Sequence, residues 1–465
     1  MLTSRATAAT GKIQRFRSRP DIAPAAVRID VDRPGQDGGL ILMDSHGGVG
    51  AQGPMIFDGT GELVWFRTVS SDPSSPERAF NLQVQEWRGE RVLTWFDGSV
   101  VADHGEGEDV IMDASYREIA RVQAGDGCSD DLHAFRLTPE GTALVTCYPL
   151  AYGDLRSVGG PARAPYVNGV VQEIDVATGE VVLEWRSDEH VAFGETYARF
   201  ADYSSTPFDY FHVNSIAVAR DNNLIVSGRN TWAAYKIERT TGAVMWRLGG
   251  RKSDFSLGPG AEFAWQHDVT EAHDGSFTVF DNGAGDYRTE RQSRALVLAV
   301  DERSRRVTLQ RELLHPRTPL QAGALGSVQM LARGHVFVGW GYLAGFSEYS
   351  DEGTPLLDGR LAGDDAQSYR AFRSAWSGRP HDPPALVVEP HAGGATLYVS
   401  WNGGTGVARW LVLGGPRPAA LAVVGSAAKA GFETVIDVPG HVAHVAVAAL
   451  DVQGREIARS HVVTD

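Results

Sequence analysis

Cysteine is scarce in this sequence. Only two cysteines, Cys128 and Cys147, occur among 465 residues, which excludes the multi-disulfide framework of small secreted domains. Neither thiol stands in a spacing that is typical of a metal site. We expect two reduced thiols, although a single disulfide between them stays open as the alternative.

Long hydrophobic runs are also absent. No stretch of about 18 apolar residues is present to span a membrane as a helix. The five Lys and Arg residues that precede Asp21 are not followed by the apolar segment of a secretory signal. We therefore expect residues 1–30 to form a flexible basic leader, no membrane to be a partner, and the protein to be located in the cytoplasm.

Positive charge is in deficit. The 43 Lys and Arg residues against 58 Asp and Glu residues give a formal net charge of −15, whereas nucleic-acid binding requires a basic face. Nucleic acid is therefore excluded as a partner, and we expect small-molecule ligands. The sequence leaves a homodimer open.

Several common catalytic signatures are missing. There is no Gly-x-x-x-x-Gly-Lys-Ser/Thr phosphate loop, no Gly-x-Ser-x-Gly elbow and no His-Glu-x-x-His zinc site. The two histidines of QHDVTEAH (266–273) are six residues apart, and no third ligand accompanies them. We therefore predict neither a cofactor nor a metal ion.

Short stretches of apolar alternation are abundant. Apolar and polar residues alternate with period two in segments such as 81–87, 170–174 and 216–226, whereas helical periodicity never persists for more than about two turns. Many of the 53 glycines stand beside Asp, Asn or Thr, as in tight turns. These features predict an all-β chain of many short strands.

One kind of hairpin recurs along the chain. A strand, a polar turn and a second strand that ends in a large residue occur at 57–66, 174–185, 237–250 and 300–313. The long and regular spacing is typical of the outer hairpins of propeller blades. An array of β-sandwiches would explain the hairpin but not its spacing. We predict a β-propeller over residues 31–376.

The C-terminal part has a different character. Residues 377–390 are rich in proline, which predicts a linker. Over residues 391–465, apolar strands follow one another at roughly ten-residue spacing. This pattern predicts a small immunoglobulin-like or fibronectin-like β-sandwich, a kind of module that seldom catalyses.

Three histidines share one sequence context. His133, His212 and His267 each enter an alternating segment from a turn, and each is followed by a polar turn and another apolar strand. In a propeller, this context marks the start of the innermost strand of a blade. Three blades would then place three imidazoles around one channel, together with the guanidinium of Arg229. Such a set of side chains in an acidic protein suits a small anion.

The segments around these residues resemble the arylsulfotransferase family, in particular its actinobacterial and fungal branch. The resemblance spans residues 40–376 and is carried by LHAFRLTPEGTALVT, FHVNSIAVARDNNLIVSGRNT, WQHDVTEAHDGSFTVFDNGAG and five further segments. It implies a six-bladed propeller. It also implies transfer of a sulfuryl group from an aryl sulfate donor to a phenolic or other hydroxyl acceptor, without a nucleotide.

The resemblance also assigns roles to individual residues. The nucleophilic histidine of the family's Gln-His motif falls on His267, which would carry the sulfuryl group as sulfohistidine. The His-x-Asn-Ser-Ile motif falls on His212 and Asn214, the arginine of the following strand on Arg229, and an earlier histidine on His133. Arg229 and the imidazoles would stabilise charge. We expect His212, followed by His133, to transfer the proton.

Two points in the sequence leave the activity open. Ala134 replaces an acidic residue that is usual in the family, and Ser327 replaces an asparagine. We expect Trp95 and Trp340 to stack on a phenol, with packing inside the blades as the alternative. Two other functions therefore remain: a cyclisation or lyase step in specialised metabolism, and ligand binding by a non-catalytic propeller.

Overall fold

The fold is all-β, as the sequence predicts. A computed structural model describes residues 1–6, 11–72, 74–203 and 205–464. Within these ranges, the α-helix is limited to Ser187–His190. Short 3₁₀ helices lie at Arg156–Val158, Phe193–Glu195, Phe200–Asp202, Arg229–Thr231, Ala332–Gly334 and Gly341–Leu343. No helix of the described chain is long and apolar enough to cross a membrane.

Short strands account for most of the described chain. Those before residue 250 are β1 (Ser4–Ala6), β2 (Val27–Asp32), β3 (Leu40–Ser45), β4 (Gly53–Phe57), β5 (Leu63–Phe66), β6 (Glu77–Trp87), β7 (Glu90–Val101), β8 (His104–Met112), β9 (Glu118–Val122), β10 (Asp130–Leu137), β11 (Thr142–Cys147), β12 (Leu150–Gly153), β13 (Ala164–Val167), β14 (Val170–Asp175), β15 (Val181–Arg186), β16 (Phe208–Asp209), β17 (Val213–Val218), β18 (Leu224–Gly228), β19 (Ala233–Ile237) and β20 (Val244–Gly249). Those after it are β21 (Ser256–Leu257), β22 (His267–Glu271), β23 (Ser276–Asp281), β24 (Arg294–Asp301), β25 (Arg306–Leu314), β26 (Ser327–Met330), β27 (Val336–Gly339), β28 (Gly345–Tyr349), β29 (Pro355–Leu361), β30 (Ala371–Ser374), β31 (Ala385–His391), β32 (Gly394–Ser400), β33 (Arg409–Gly415), β34 (Ala422–Ala428), β35 (Glu433–Pro439), β36 (His444–Leu450), β37 (Glu456–Arg459) and β38 (Val463–Thr464).

Four-stranded antiparallel groups form the larger part of the molecule. In the described residues these are β30–β3–β4–β5, β6–β7–β8–β9, β10–β11–β14–β15, β17–β18–β19–β20, β22–β23–β24–β25 and β26–β27–β28–β29. A single residue pair between β8 and β10 joins the second and third groups into one eight-stranded sheet, and β21 and β2 extend the last two groups at their outer edges. The first strand of each group contacts the first strand of the next group, and β26 contacts β30. Each of the six first strands therefore has two other first strands as neighbours. The other three strands of each group follow it in order, away from these contacts.

The four predicted hairpins are confirmed as the strand pairs β4–β5, β14–β15, β19–β20 and β24–β25. Each is the outer pair of its group. The large residues at their ends bury the outer strands: Trp185 packs on Phe211, and Trp246 on Phe255 and Phe277. Removal of such rings from water is a major source of stability.

Two further sheets contain most of the C-terminal strands. One has the order β1–β35–β32–β31, and the other has the order β34–β33–β36–β37 with β38 paired to β36. Leu397, Trp410, Ile436 and Val447 from both sheets share one hydrophobic core. β31 begins at Ala385, so the predicted linker over 377–390 is too long at its C-terminal end.

The flexible leader predicted over residues 1–30 is wrong for the described residues. β1 pairs with β35, and β2 pairs with β29. Between these strands, Phe16 packs on Phe432 with 4.4 Å between the ring centroids. Apolar side chains within the basic stretch therefore anchor it to both parts of the molecule. Residues 7–10 of the predicted leader lie outside the described residues.

The prediction of two reduced thiols is also wrong. Cys128 and Cys147 form a disulfide, with their Cα atoms 6.0 Å apart. The reason is the register of β10 against β11, which sets Asp130 opposite Cys147 and so brings the preceding turn to that residue. Disulfides are more common in oxidising compartments. The cytoplasmic location stays a prediction, and cell fractionation would test it.

Candidate active site

The three histidines predicted from the sequence enter three consecutive first strands. His133 lies near the start of β10, His212 directly precedes β17, and His267 is the first residue of β22. Because these strands are neighbours, the imidazoles gather at one end of them. All three are buried.

His133 is oriented by a carboxylate two residues before it. Asp131 Oδ1 accepts hydrogen bonds from the His133 ring Nδ1–H and from the His133 backbone N–H, the latter at 3.0 Å. Residues i and i+2 of a strand share a face, which explains the contact. With its proton on Nδ1, the ring presents Nε2 as the free nitrogen.

Burial alone would raise the pKa of Asp131. The charge of His133 and its hydrogen bond oppose this effect, and the pKa of Asp131 is held below its usual value. The carboxylate therefore stays ionised beside the imidazole.

His212 shares a second carboxylate with a histidine that the sequence analysis did not select. Asp209 Oδ2 lies 2.5 Å from His212 Nδ1 and 3.1 Å from His104 Nε2. His104 comes from the turn between β7 and β8, where Ala102 and Asp103 have positive φ. His212 itself has φ 54°, and this left-handed conformation turns the ring back to Asp209.

The pKa values of His212 and His104 are shifted in opposite directions. Burial lowers the pKa of His212 to about 4, against the opposing charge of Asp209. Burial would also lower the pKa of His104, but the hydrogen bond to Asp209 and the charges of Asp209 and Asp131 raise it above its usual value.

Aromatic contacts join these histidines into one cluster. The rings of His133 and His212 are 4.7 Å apart in an edge-on arrangement. Tyr148 packs on His104 at 4.2 Å and lies within 6 Å of the other two rings. Its hydroxyl donates a hydrogen bond to the carbonyl of Val213, so the ring is held in place.

His267 is supported by a neutral amide. Its Nδ1 lies 2.7 Å from Asn282 Oδ1. The Asn282 Nδ2 group donates to the carbonyls of Ala322 and Leu325 at 2.8 Å and 3.0 Å, which fixes Oδ1 toward the ring. Nδ1 of His267 therefore carries the proton, and the lone pair on Nε2 accepts the backbone N–H of Leu325 at 3.2 Å.

His267 is held in its neutral form. Burial, followed by the positive charge of Arg229, keeps its pKa well below the usual value, and the hydrogen bond to Asn282 opposes this only in part. A neutral imidazole with an outward lone pair is the form in which histidine acts as a nucleophile.

Arg229 lies above an indole ring near His267. Its guanidinium carbon is 4.9 Å from the centre of the Trp265 ring, and its NH groups donate to Asn230 Oδ1 at 2.8 Å and to the Gly323 carbonyl at 3.3 Å. Its Nε has no partner among the described residues. The side chain is therefore positioned by stacking and keeps a donor for an anionic oxygen.

Asn214 is buried and hydrogen-bonded to the backbone next to His267. Its Nδ2 donates to the Gln266 carbonyl at 2.7 Å, while its Oδ1 is buried without a partner in the described chain. The buried Arg370 donates to the Asn214 carbonyl at 2.9 Å, and the Tyr369 hydroxyl donates to the same carbonyl at 3.4 Å. The first contact ties β17 to the residue before His267, and the other two tie it to the segment before β30.

The structure does not bring Trp95 and Trp340 to the histidines. Trp95 is 1% exposed and packs on Trp65 in a core between strand groups. Trp340 is fully buried, packs on Phe280 and donates to Ser347 Oγ at 2.8 Å. In this arrangement neither ring face is open to a phenol, because each lies on the packed side of its strand group.

The two departures from the family pattern have structural partners. Ala134 is buried beside His133, and Asp131 supplies an acidic group on the other side of that histidine. Ser327 Oγ donates to the Ala371 carbonyl at 2.9 Å, which joins β26 to β30. Neither residue leaves the histidines without support.

Sequence reasoning missed Asp131, Asp209, His104, Tyr148 and Asn282. Asp131 was open to prediction, because it stands two residues before His133 in an alternating strand. Asp209 and His104 were not, since their contacts depend on a left-handed residue and on a hairpin from a different strand group.

Comparison with known proteins identifies the family. A profile described as Arylsulfotransferase (ASST) matches residues 83–361, more than half of the chain. The chain belongs to the arylsulfotransferase family. Membership indicates a transferase that acts on a small-molecule donor and acceptor. The matched range contains every site residue predicted from the sequence. No curated protein matched the sequence.

The solved structures to which this chain is similar include two of low sequence identity. A protein of unknown function from Bacteroides caccae has 13% identity and a TM-score of 0.41, with 72% of this chain and 98% of that chain covered. A catalytically inactive virginiamycin B lyase from Staphylococcus aureus with quinupristin has 9% identity and a TM-score of 0.37, with 81% and 96% covered. Scores at this level carry no argument about the present chain.

Proposed function

We propose that the six strand groups are the blades of a six-bladed propeller, with the two C-terminal sheets as an immunoglobulin-like or fibronectin-like sandwich. The contacts from each first strand to the next, and from β26 back to β30, support the ring. The core shared by the two C-terminal sheets supports the sandwich. The histidines would then surround one end of a central channel.

We propose that this family member is a nucleotide-independent aryl-sulfate sulfotransferase that works through a sulfohistidine. The observation that carries the proposal is the state of His267: a neutral ring, protonated on Nδ1 by virtue of Asn282, with its Nε2 lone pair directed away from that support. After burial, the charge of Arg229 contributes most to the low pKa of this ring, and a guanidinium suits an anionic sulfuryl group.

In the first half-reaction, His267 Nε2 attacks the sulfur of the donor and the bond from sulfur to the phenolic oxygen breaks. The electron pair leaves with that oxygen, which takes a proton from His212 or His133. The positive charge on the new sulfohistidine is shared with Nδ1–H, which Asn282 Oδ1 accepts. Arg229 Nε donates to a sulfuryl oxygen as charge redistributes.

The second half-reaction reverses these steps with a different hydroxyl. The imidazole that gave up its proton removes one from the acceptor, the acceptor oxygen attacks sulfur, and the bond from sulfur to His267 Nε2 breaks. The charge of Asp209 favours a protonated His212, although burial is the larger effect and keeps the pKa of that ring below its usual value. Asp131 is the corresponding carboxylate partner of His133. Proton and sulfuryl group are thus held on separate residues between the two half-reactions.

One contact must change before the first step. The Leu325 N–H occupies the lone pair of His267 Nε2, so donor binding has to displace it. The segment that contains Gly323 and Leu325 is close to Arg229, whose guanidinium donates to the Gly323 carbonyl. A donor sulfate that binds the Arg229 guanidinium would therefore break its hydrogen bond to Gly323. The Leu325 N–H would then be released from His267 Nε2.

A direct assay tests the function. Purified protein is incubated with p-nitrophenyl sulfate and a panel of phenols, without any nucleotide, and sulfated products are measured by mass spectrometry. Turnover that needs a phenolic acceptor supports the proposal. Turnover only with a nucleotide sulfate donor, or no transfer to any hydroxyl acceptor, contradicts it.

A further inference from the structure

Three potential ligand atoms converge beside the histidine site. His104 Nε2, Asp209 Oδ2 and His212 Nδ1 all lie within 4.8 Å of one another. Bonds of about 2.0 Å at tetrahedral angles place the ligand atoms of Zn²⁺ about 3.3 Å apart, and His104 Nε2 already stands 3.1 Å from Asp209 Oδ2. We propose that these three residues bind a divalent transition-metal ion, with Zn²⁺ as the preferred occupant.

The charges around this cluster favour a cation. Asp209 is buried, and among the described residues its Oδ1 has no hydrogen-bond partner while its Oδ2 contacts the two imidazoles. In the described chain, the ion-pair partners of Asp209 and of the nearby Asp131 are histidines, with no Lys or Arg among them. Buried carboxylate charge that only titratable imidazoles offset is costly, and a bound metal ion lowers that cost.

A second cluster with the same residue types shows the contrast. Asp37, His335 and Glu348 also bring three potential ligand atoms together. Arg333 forms an ion pair with Asp37, and Arg373 forms one with Glu348. Two guanidinium groups already neutralise these carboxylates, so a metal ion would be repelled there. Among the described residues, no Lys or Arg forms an ion pair with Asp209, and the guanidinium nearest in effect, that of Arg229, acts on His212 through its charge alone.

The type of ligand selects the ion. Two imidazole nitrogens and one carboxylate oxygen suit Zn²⁺ and its neighbours, whereas Mg²⁺ and Ca²⁺ prefer oxygen ligands. Both cysteines are bonded to each other, so neither offers a competing thiolate. Three protein ligands leave a fourth position open. Because His212 belongs to both sites, that position would accept an anionic oxygen of the donor or the acceptor.

Metal binding would change the role of His212. An ion on Nδ1 leaves the proton of this ring on Nε2, where it serves as a fixed hydrogen-bond donor. His133, with its own carboxylate Asp131, would then transfer the proton in the metal-loaded enzyme. This inference goes beyond the proposed sulfotransferase activity, and its test does not depend on that activity.

The test measures metal content and coordination in the full chain. Untagged protein is dialysed against Zn²⁺ and then against metal-free buffer, and bound zinc is determined by elemental analysis. Co²⁺ titration of the same protein reports on tetrahedral nitrogen and oxygen ligation through its visible absorption. His104→Gln and Asp209→Asn remove one ligand each, and His335→Gln alters the second cluster as the matched control. Circular dichroism checks the folding of every variant.

We expect one Zn²⁺ per chain and a tetrahedral Co²⁺ spectrum in wild-type protein and in His335→Gln. The ligand variants should bind at least about 10-fold more weakly, as is usual when coordination is impaired. Substoichiometric metal in wild-type protein overturns the proposal even if the ligand variants fail to fold. Unchanged affinity in folded His104→Gln, or loss of the metal in His335→Gln, overturns it as well.

Discussion

The two sides of the histidine site support their imidazoles in different ways. His133 is hydrogen-bonded to the carboxylate of Asp131, whereas His267 is hydrogen-bonded to the neutral amide of Asn282. Both supports place the proton on Nδ1 and the lone pair on Nε2, which in His267 accepts the Leu325 N–H until a donor displaces it. A carboxylate also adds a negative charge that stabilises a protonated ring, whereas an amide offers only the hydrogen bond.

This difference matches the two tasks that sulfuryl transfer requires. A proton carrier has to accept and release a proton, and an adjacent carboxylate stabilises the imidazolium that forms in between. A nucleophile has to keep its lone pair, and burial together with the charge of Arg229 lowers the pKa of His267 for that purpose. The role of each histidine is therefore indicated by the residue that accepts the hydrogen bond from its Nδ1–H, a carboxylate for the proton carrier and an amide for the nucleophile.

The largest effect is expected at the nucleophile. His267→Asn keeps a polar group near Asn282 but removes the attacking nitrogen, so turnover should fall about 10⁴-fold or more. The measurement is steady-state transfer from p-nitrophenyl sulfate, with thermal unfolding as the control for folding. A folded variant that retains a tenth of wild-type turnover would contradict the assignment.

Removal of the carboxylate on the other side should cost less. Asp131→Asn leaves an acceptor for His133 but no negative charge, and turnover should fall about 10²-fold to 10³-fold. The loss should grow with the pKa of the leaving phenol, because poor leaving groups need more help from a proton donor. A loss that is equal across a series of substituted phenyl sulfates would remove His133 from proton transfer.

A smaller loss is expected from a change of cation. Arg229→Lys keeps the charge but loses the planar group that stacks on Trp265, and turnover should fall about 10²-fold. Arg121→Lys, at an outer strand with surface ion pairs, is the matched control and should leave turnover unchanged. Equal behaviour of the two variants would show that the guanidinium does not contact the sulfuryl group.

The smallest effect concerns stability near the site. Asp109 and Asp130 are buried together, and burial raises the pKa of both carboxyl groups well above the usual value. The pair therefore holds its protons to higher pH in the folded protein than in the unfolded chain, so stability falls as pH rises from the ordinary carboxyl range through the folded pKa. Asp130→Asn should weaken this pH dependence and add ~1–3 kcal/mol at alkaline pH.

Thermal unfolding of wild-type protein and Asp130→Asn across a pH series is the measurement. The exposed Asp364 provides the control, since Asp364→Asn should leave the pH dependence as it is. Stability of wild-type protein that increases toward alkaline pH relative to Asp130→Asn would contradict the protonated pair.

Much of the fold could be predicted from the sequence, because period-two alternation and Gly-containing turns are local signals. The outer hairpins and the strand entries of His133, His212 and His267 follow from them directly. The disulfide could not be predicted, since it depends on the register of two strands. Trp95 was misplaced because a large aromatic residue in a strand packs equally well in a core or at a site.

The site was predictable only as far as its histidines. Their orientation depends on Asp209, which reaches His212 through a left-handed residue, and on Asn282, which lies beyond the strand β23 paired with β22. Such contacts arise from tertiary geometry and have no fixed spacing in sequence. The carboxylate side and the amide side therefore became distinguishable only in the structure.

The central claim is that His267 alone carries the sulfuryl group, and intact-mass analysis tests it most directly. Wild-type protein given an aryl sulfate without acceptor should gain one sulfuryl group, about 80 Da, as expected for one covalent intermediate. The adduct should be acid-labile, map to the peptide that contains His267, and persist in Asp131→Asn with a good leaving group. An adduct on His133 or His212, or one that still forms in folded His267→Asn, would contradict the account.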